Sequence, residues 1–299
     1  MKQRKREIID RYGPWTAHNI QLPGETYTIG KRVVGDEFKL RRIIQVISDV
    51  VGESVHGLRI LDLACLEGLY AVELALRGAR VVAIEGRKAN IEKAKFAKEI
   101  LSLEHLELFH DDVRNFTREK YGDFDVILCL GILYHLDVPD VFLFLENIGR
   151  ACKRLAIIDT EVTMSPERCY EHKGKKYWGK TRIEHCAAST AQQRAKSLWA
   201  SLDNLTSFCF SRPSLYNFLS HVGFTSVYQC YTPRVDEPWG RNTILAAKGR
   251  HQKLRSSELV NLLPQKDCPE VPRLYLAAVR ILQLVPERLR NAIARMLFR

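Results

Sequence analysis

Two short apolar runs, Arg59-Ile-Leu-Asp-Leu-Ala64 and Arg80-Val-Val-Ala-Ile-Glu85, flank a stretch in which Leu69, Val72, Glu73 and Leu76 recur at helical spacing. This is the signature of a β-α-β unit. The alternation continues with a helix over 87–101, a strand near 105–109, the strand Phe124-Asp-Val-Ile-Leu-Cys129, a helix near 138–151 and the strand Leu155-Ala-Ile-Ile158, ending at Asp159. Short apolar strands separated by amphipathic helices predict a parallel sheet covered on both faces. A helix near Pro213–His221 then leads through Gly223 and Phe224 into a strand near 224–231, and Thr243-Ile-Leu-Ala-Ala-Lys248 supplies one more. Only about a dozen residues, with Pro233, Pro238 and Gly240 among them, separate these last two strands. That is too few for a helical crossover, so they should pair antiparallel. The predicted class is α/β, a Rossmann-like and mostly parallel sheet closed by an antiparallel hairpin.

The core occupies 59–248, and three regions lie outside its sheet: a leader over 1–58, an insertion over 160–211 and a basic tail over 249–299. In the leader, Gly35–Val51 reads as a helix with Phe38, Ile43, Ile44, Val46 and Ile47 available for packing, placed to cover the mouth of a cofactor site. The 299 residues suit one large α/β unit with attached elements. Eight scattered cysteines without a C-x-x-C pair point to reduced thiols and to no zinc site. No apolar h-region follows the basic start, and no run approaches the roughly 20 apolar residues of a bilayer span, so a cytoplasmic protein is expected.

The net charge of +11 is unevenly placed: residues 1–11 carry five Lys or Arg against two acidic residues, and residues 248–299 carry eleven against four. This suggests an anionic partner at the ends, either nucleic acid or a lipid surface, or else terminal cations that simply keep the protein soluble. After Pro286, the tail places Leu289, Ile293, Met296 and Leu297 at helical spacing opposite Arg288, Asn291, Arg295 and Arg299. This predicts a basic amphipathic helix that favours an anionic membrane over RNA, with peripheral attachment as the result. The same apolar side could instead dock on the core or on a second subunit, giving a homo-oligomer.

Open parallel sheets bind ligands at the carboxyl ends of their strands, so the loop Asp62-Leu-Ala-Cys-Leu-Glu-Gly68 is the first place to look. Ala64 keeps the turn small and Gly68 allows close backbone approach. With one late glycine and Glu67 beside it, the loop suits a pyrophosphate poorly and a sulfonium or zwitterionic group better. Glu85 ends the second strand, where a carboxylate accepts both ribose hydroxyls. Asp112 and Val113 could meet an adenine amino group and ring, or Asp112 could simply cap the helical turn that follows. Leu130 and Gly131 would line the same crevice.

The stretch ILDLACLEGLYAVELALRGARVVAIEG, with HDDVRNF and FDVILCLGILYHL after it, resembles the core of class I S-adenosylmethionine-dependent methyltransferases. The resemblance implies S-adenosylmethionine as cofactor, with Asp62, Ala64 and Gly68 supporting its methionine part, Glu85 its ribose and Asp112 its adenine. The family usually has glycine where Ala64 stands, and often where Glu67 stands. LGILYHL and FSRPSLYNFLSHVGFTSV further resemble the branch containing the enzyme that carboxymethylates wobble uridine in transfer RNA. That branch implies a donor with an extra carboxylate, which would need a cationic contact.

The residues after the fourth strand are where a base should lie. His135 is the leading candidate, with Tyr134 orienting the acceptor. His18, with Trp15 in the leader, forms a second candidate group that could roof the pocket or merely pin the leader down. Asp159 and Glu161 could hold a metal, but no third ligand accompanies them, and none is predicted. In the insertion, the aromatics and cations of Tyr170–Arg182 could stack a base and neutralise phosphates, grip an anionic sugar or phosphorylated natural product, or form an ordinary surface loop, and Ser197–Asn204 reads as a small lid helix. The expected function is methyl transfer to an unidentified acceptor, a small molecule or RNA. Carboxymethyl transfer to RNA, a nicotinamide oxidoreductase and a cofactor-binding protein without transfer activity are the alternatives.

Overall fold

The computed structural model describes residues 1–30, 36–230 and 241–250. The leader begins with a helix that periodicity does not reveal, α1 (Lys2–Tyr12), then paired two-residue strands β1 (Gln21–Leu22) and β2 (Thr26–Tyr27). α1 is charged around most of its surface and touches the core through half-buried Ile8 and Ile9, too narrow a stripe to stand out as amphipathic. Helix α2 (Asp36–Val51) forms where expected and buries Ile43, Val46 and Ile47.

The alternating core follows as β3 (Arg59–Leu63), α3 (Leu69–Leu76), β4 (Arg80–Glu85), α4 (Lys88–Ile100) and β5 (Leu106–His110). It continues with α5 (Arg118–Tyr121), β6 (Phe124–Leu130), α6 (Asp140–Ala151) and β7 (Cys152–Glu161). The insertion adds β8 (Arg168–His172), β9 (Lys175–Ile183), α7 (Ala191–Lys196) and β10 (Thr206–Phe210). Helix α8 (Arg212–His221) and strands β11 (Ser226–Cys230) and β12 (Arg241–Ala247) complete the described chain.

The main sheet has the order β11-β12-β7-β6-β3-β4-β5. Strands β7, β6, β3, β4 and β5 run parallel, while β12 lies antiparallel to β7 and, as the short connection requires, to β11. Successive residues face opposite sides: Ile60, Val81 and Val126 join the apolar cluster shared with α2 and α3, while Leu61, Val82 and Ile127 join that shared with α6 and α8. The chain leaves β3 toward β4 and β5, then returns to its other side as β6. The crevice therefore opens beyond β3 and β6, where the order reverses.

Two expectations for the insertion are corrected. Tyr170–Arg182 is no loop: most of it forms a hairpin closed at Lys173 (φ 50) and Gly174 (φ 72), a pair of left-handed residues that matches strand twist, within a three-stranded sheet of order β10-β9-β8. Tyr177 is buried against Phe218 at 4.8 Å and Tyr170 meets Phe208 at 5.2 Å, so these two rings pack inward, while Trp178 of the same stretch stays half-exposed. Nor is 197–204 helical. The capping box between Thr190 and Gln193 starts the helix earlier, as α7, and it ends at Lys196. The predicted tail helix lies outside the described residues. Among the described residues no helix is long and apolar enough to cross a membrane.

Candidate active site

Beyond β3 and β6 lies a cavity of about 420 Å3, lined at one end by Asp62, Ala64, Glu85, Val113 and Leu130. The loop after β3 is sharply turned, with Ala64 (φ 56), Leu66 (φ 51) and Gly68 (φ 90) all left-handed. Its turn brings the Leu66 N–H to Glu85 Oε2 at 2.9 Å, while Oε1 accepts from Arg87 N at 2.8 Å and Asn90 Nδ2 at 3.3 Å. Burial nevertheless raises the Glu85 carboxyl above its ordinary range, outweighing these donors. Asp62 is buried and its Oδ2 has no hydrogen-bond partner in the described structure. Burial first, then the neighbouring Glu85 charge, push its carboxyl up to about 8.

Two residues assigned to this end by resemblance lie outside the cavity lining. A Cβ on Gly68 would stand 2.8 Å from Ala94 Cβ, so the glycine allows α3 and α4 to approach. Asp112 caps its own turn by accepting from Arg114 N at 2.8 Å, and the Arg114 guanidinium holds its Oδ2 at 2.6 Å. Val113 faces the cavity in its place.

Glu67 is not the electrostatic neighbour of a ligand that the sequence suggested. It is fully buried and accepts backbone N–H bonds from Thr16 (2.8 Å), Ala17 (3.1 Å) and His18 (3.0 Å). The buried Lys93 ammonium reaches it at 3.0 Å and also donates to Pro14 O at 2.6 Å. Burial alone would raise the Glu67 carboxyl, but these donors hold it below its ordinary value. Ala17 and His18 are thereby carried onto the cavity. The Leu69 N–H donates to His18 Nδ1 at 3.1 Å, so the neutral ring carries its proton on Nε2. His18 thus lines the cavity with a ring suited to donate, whereas Trp15 lies outside the lining and is buried against Phe96 at 5.6 Å, where it pins the leader down.

At the other end, the turn after β6 carries Tyr134 and His135, both lining the cavity. His135 Nδ1 lies 2.8 Å from Glu184 Oε2, just beyond β9. Ser201 N and Ser207 Oγ donate to the same carboxylate, each at 2.7 Å. Burial opposes ionisation of Glu184, but these bonds prevail and hold it at about 2. A carboxylate there fixes the imidazole with its proton on Nδ1 and leaves Nε2 as acceptor, the arrangement of a general base.

Arg182 and Arg241 flank the Tyr134 ring at 5.3 and 5.8 Å from its centroid. Gly131 (φ 86) makes room for the second, since a Cβ there would lie 2.6 Å from Arg241 Nη2. Asp159 meets the Lys39 ammonium at 2.8 Å, the Arg241 guanidinium, and Thr243 Oγ1 at 2.8 Å. Glu161 pairs with Arg182 at 2.6 Å. The two acids weighed as metal ligands are thus engaged by cations, and no group of three metal-binding side chains occurs among the described residues. Sequence reasoning missed Lys39, Glu184 and Arg241, which come from α2, the residue after β9 and β12, whereas Arg182 of β9 belongs to the aromatic and cationic stretch noted in the sequence.

Residues 60–154 match the family described as "Methyltransferase domain". Among curated proteins, the chain is 31% identical over 129 residues to a ubiquinone biosynthesis O-methyltransferase of Rickettsia prowazekii (strain Madrid E), covering 42% of this chain and 48% of that protein. A protein of the same name from Chromobacterium violaceum is 33% identical over 105 residues, covering 34% and 41%. The matches thus span less than half the length of these relatives. Among solved structures, the N-terminal domain of EvdMO1 with SAH bound superposes with a TM-score of 0.63 at 22% identity, covering 83% of this chain and 97% of that one. The chain therefore has the Rossmann-like fold of class I methyltransferases, with a recognisable methyltransferase domain over residues 60–154.

Proposed function

We propose that this chain is an S-adenosylmethionine-dependent methyltransferase that methylates an oxygen of its acceptor. One observation carries the reading: a single cavity has an acidic end, Asp62 and Glu85, and a basic-catalyst end, the His135–Glu184 pair. The residues fit the cofactor. The Asp62 oxygen lacking a described partner suits an ammonium or sulfonium, and Glu85 suits a ribose diol. When bound, S-adenosylmethionine supplies an electrophilic methyl on sulfur. His135 Nε2 takes the acceptor hydroxyl proton, Glu184 holds the resulting imidazolium, and Tyr134 orients the acceptor between the two guanidiniums. The names of the O-methyltransferase relatives support oxygen as the accepting atom.

Carboxymethyl transfer to RNA, the activity of the branch resembled in sequence, is a second reading favoured by the placement of Arg182 and Arg241 beside Tyr134, where an extra donor carboxylate would find cationic contacts. Calorimetric titration with S-adenosylmethionine, its carboxylated analogue and NAD separates these donors. The proposal expects S-adenosylmethionine to bind and Glu85→Ala to weaken it by about 1–3 kcal/mol. Binding of NAD alone would overturn it. With labelled donor and extracted metabolites or RNA as acceptors, His135→Ala should lower turnover by roughly 10²- to 10⁴-fold with cofactor affinity retained. Unchanged turnover would remove His135 as base.

A further inference from the structure

Residues 198–202 wall the cavity without forming a helix or strand, and one side chain gathers carbonyls of this segment and of the residues just before it. Arg87 Nη2 donates to Ser197 O, Ala200 O and Ser201 O at 2.8, 2.7 and 3.1 Å, and Nη1 donates to Ala195 O at 2.9 Å. The backbone N–H of Arg87 donates to Glu85 Oε1 at 2.8 Å. Across the wall, Ser201 N–H donates at 2.7 Å to Glu184 Oε2, the oxygen that faces His135 Nδ1 at 2.8 Å. Asn204 Nδ2 adds a second link, donating to His135 O at 3.0 Å. Close packing completes the contact: a Cβ on Gly86 would lie 2.5 Å from Leu202 Cδ1.

We infer that Arg87 is a positioning residue that couples the cofactor end of the cavity to the orientation of His135, acting through Ser201 and Glu184. The inference rests on the proposed roles of Glu85 and His135. The guanidinium reaches four carbonyls from two nitrogens, with Nη2 sharing its two hydrogens among three of them, whereas a lysine ammonium has a single nitrogen from which to span the same set. Those bonds hold the segment at the position from which the Ser201 N–H meets Glu184. A ligand held by Glu85 bears on the same strand end, so its binding further restrains the wall.

The test is NMR of the full chain, with and without S-adenosylhomocysteine, reading exchange of the Ser201 amide and the Nδ1–H resonance of His135. In the wild type, Ser201 should be protected and the ligand should slow its exchange further. Arg87→Ala should speed that exchange by about tenfold or more, broaden the Nδ1–H resonance through solvent exchange, and abolish the ligand effect on Ser201, with β3 amides still protected. Arg87→Lys should restore part of the protection, and it carries the comparison if Arg87→Ala loses its fold. Wild-type Ser201 exchange and an unchanged His135 signal in folded Arg87 variants would overturn the positioning role. Failure of the wild type to bind S-adenosylhomocysteine would instead overturn the cofactor reading on which the coupling depends.

Discussion

The leader and the insertion reach the same cavity, and among the ties of each to the core is one glutamate with a buried side chain, but these two ties run in opposite directions. Glu67 belongs to the core loop after β3 and holds the leader by three successive backbone N–H groups. Glu184 belongs to the insertion and holds a core side chain, His135. The first contact can only place a segment. The second also determines which nitrogen of an imidazole can accept a proton. A glutamate that receives backbone donors is structural in its effect, whereas one that receives a titratable ring changes chemistry at the site.

The largest effect is therefore expected at Glu67, on stability. Glu67→Ala would leave the Lys93 ammonium buried without its carboxylate and remove the acceptor for Thr16, Ala17 and His18, a change worth about 3–5 kcal/mol. Denaturant unfolding of the variant, with Trp15 fluorescence as a probe of the leader, measures it. A loss below about 1 kcal/mol would mean that apolar contacts such as Trp15 on Phe96 hold the leader without Glu67. Sequence alone pointed the other way, toward a minor electrostatic role, because a glutamate near a ligand loop cannot be distinguished from one turned beneath it until the partner segment is known.

The same reasoning separates what was legible from what was not. The sheet could be read because its strands are buried on both faces and the apolar runs are short and continuous, as in Val81–Ile84 and Val126–Cys129. The final hairpin followed from chain length alone. Glu85 was legible because a strand end fixes its direction. Glu184 was not, because it lies 49 positions beyond His135 and is brought back to it by strand pairing in the insertion and by the insertion's contact with the turn after β6. A signal was nevertheless present. Lys173-Gly174 is a two-residue hairpin turn between alternating aromatic and cationic residues, which reads as a pair of strands. Asp112 shows the converse: both its ligand and capping readings were open, and the structure engages it with Arg114.

A smaller effect, confined to chemistry, is expected at Glu184. Glu184→Gln keeps the shape and an acceptor for His135 Nδ1–H but removes the charge that stabilises the imidazolium, so turnover should fall about 10- to 100-fold with S-adenosylhomocysteine affinity unchanged. Combining it with His135→Ala should cost little beyond His135→Ala alone, because the two act as one unit. Additive losses in that double-mutant cycle would mean that Glu184 acts through Ser201 and Ser207 rather than through the imidazole.

The smallest effect belongs to the core beneath both regions, and it is read in protons. Asp62 titrates at about 8 because burial and the Glu85 charge both disfavour its ionised form, so at pH 7 it is mostly protonated. A bound ammonium or sulfonium favours the carboxylate, which lowers its pKa in the complex. Binding at pH 7 must then release a proton, and affinity must rise with pH by at most about tenfold per unit until pH approaches 8. Above that, Asp62 is already ionised in the free protein and the dependence on this group disappears. Calorimetry of S-adenosylmethionine binding at pH 7 in buffers of different ionisation enthalpy measures the released proton directly. Asp62→Asn, which cannot ionise, should bind more weakly and release none, whereas equal proton release by both proteins would assign the titration to another group and leave Asp62 a neutral part of the loop.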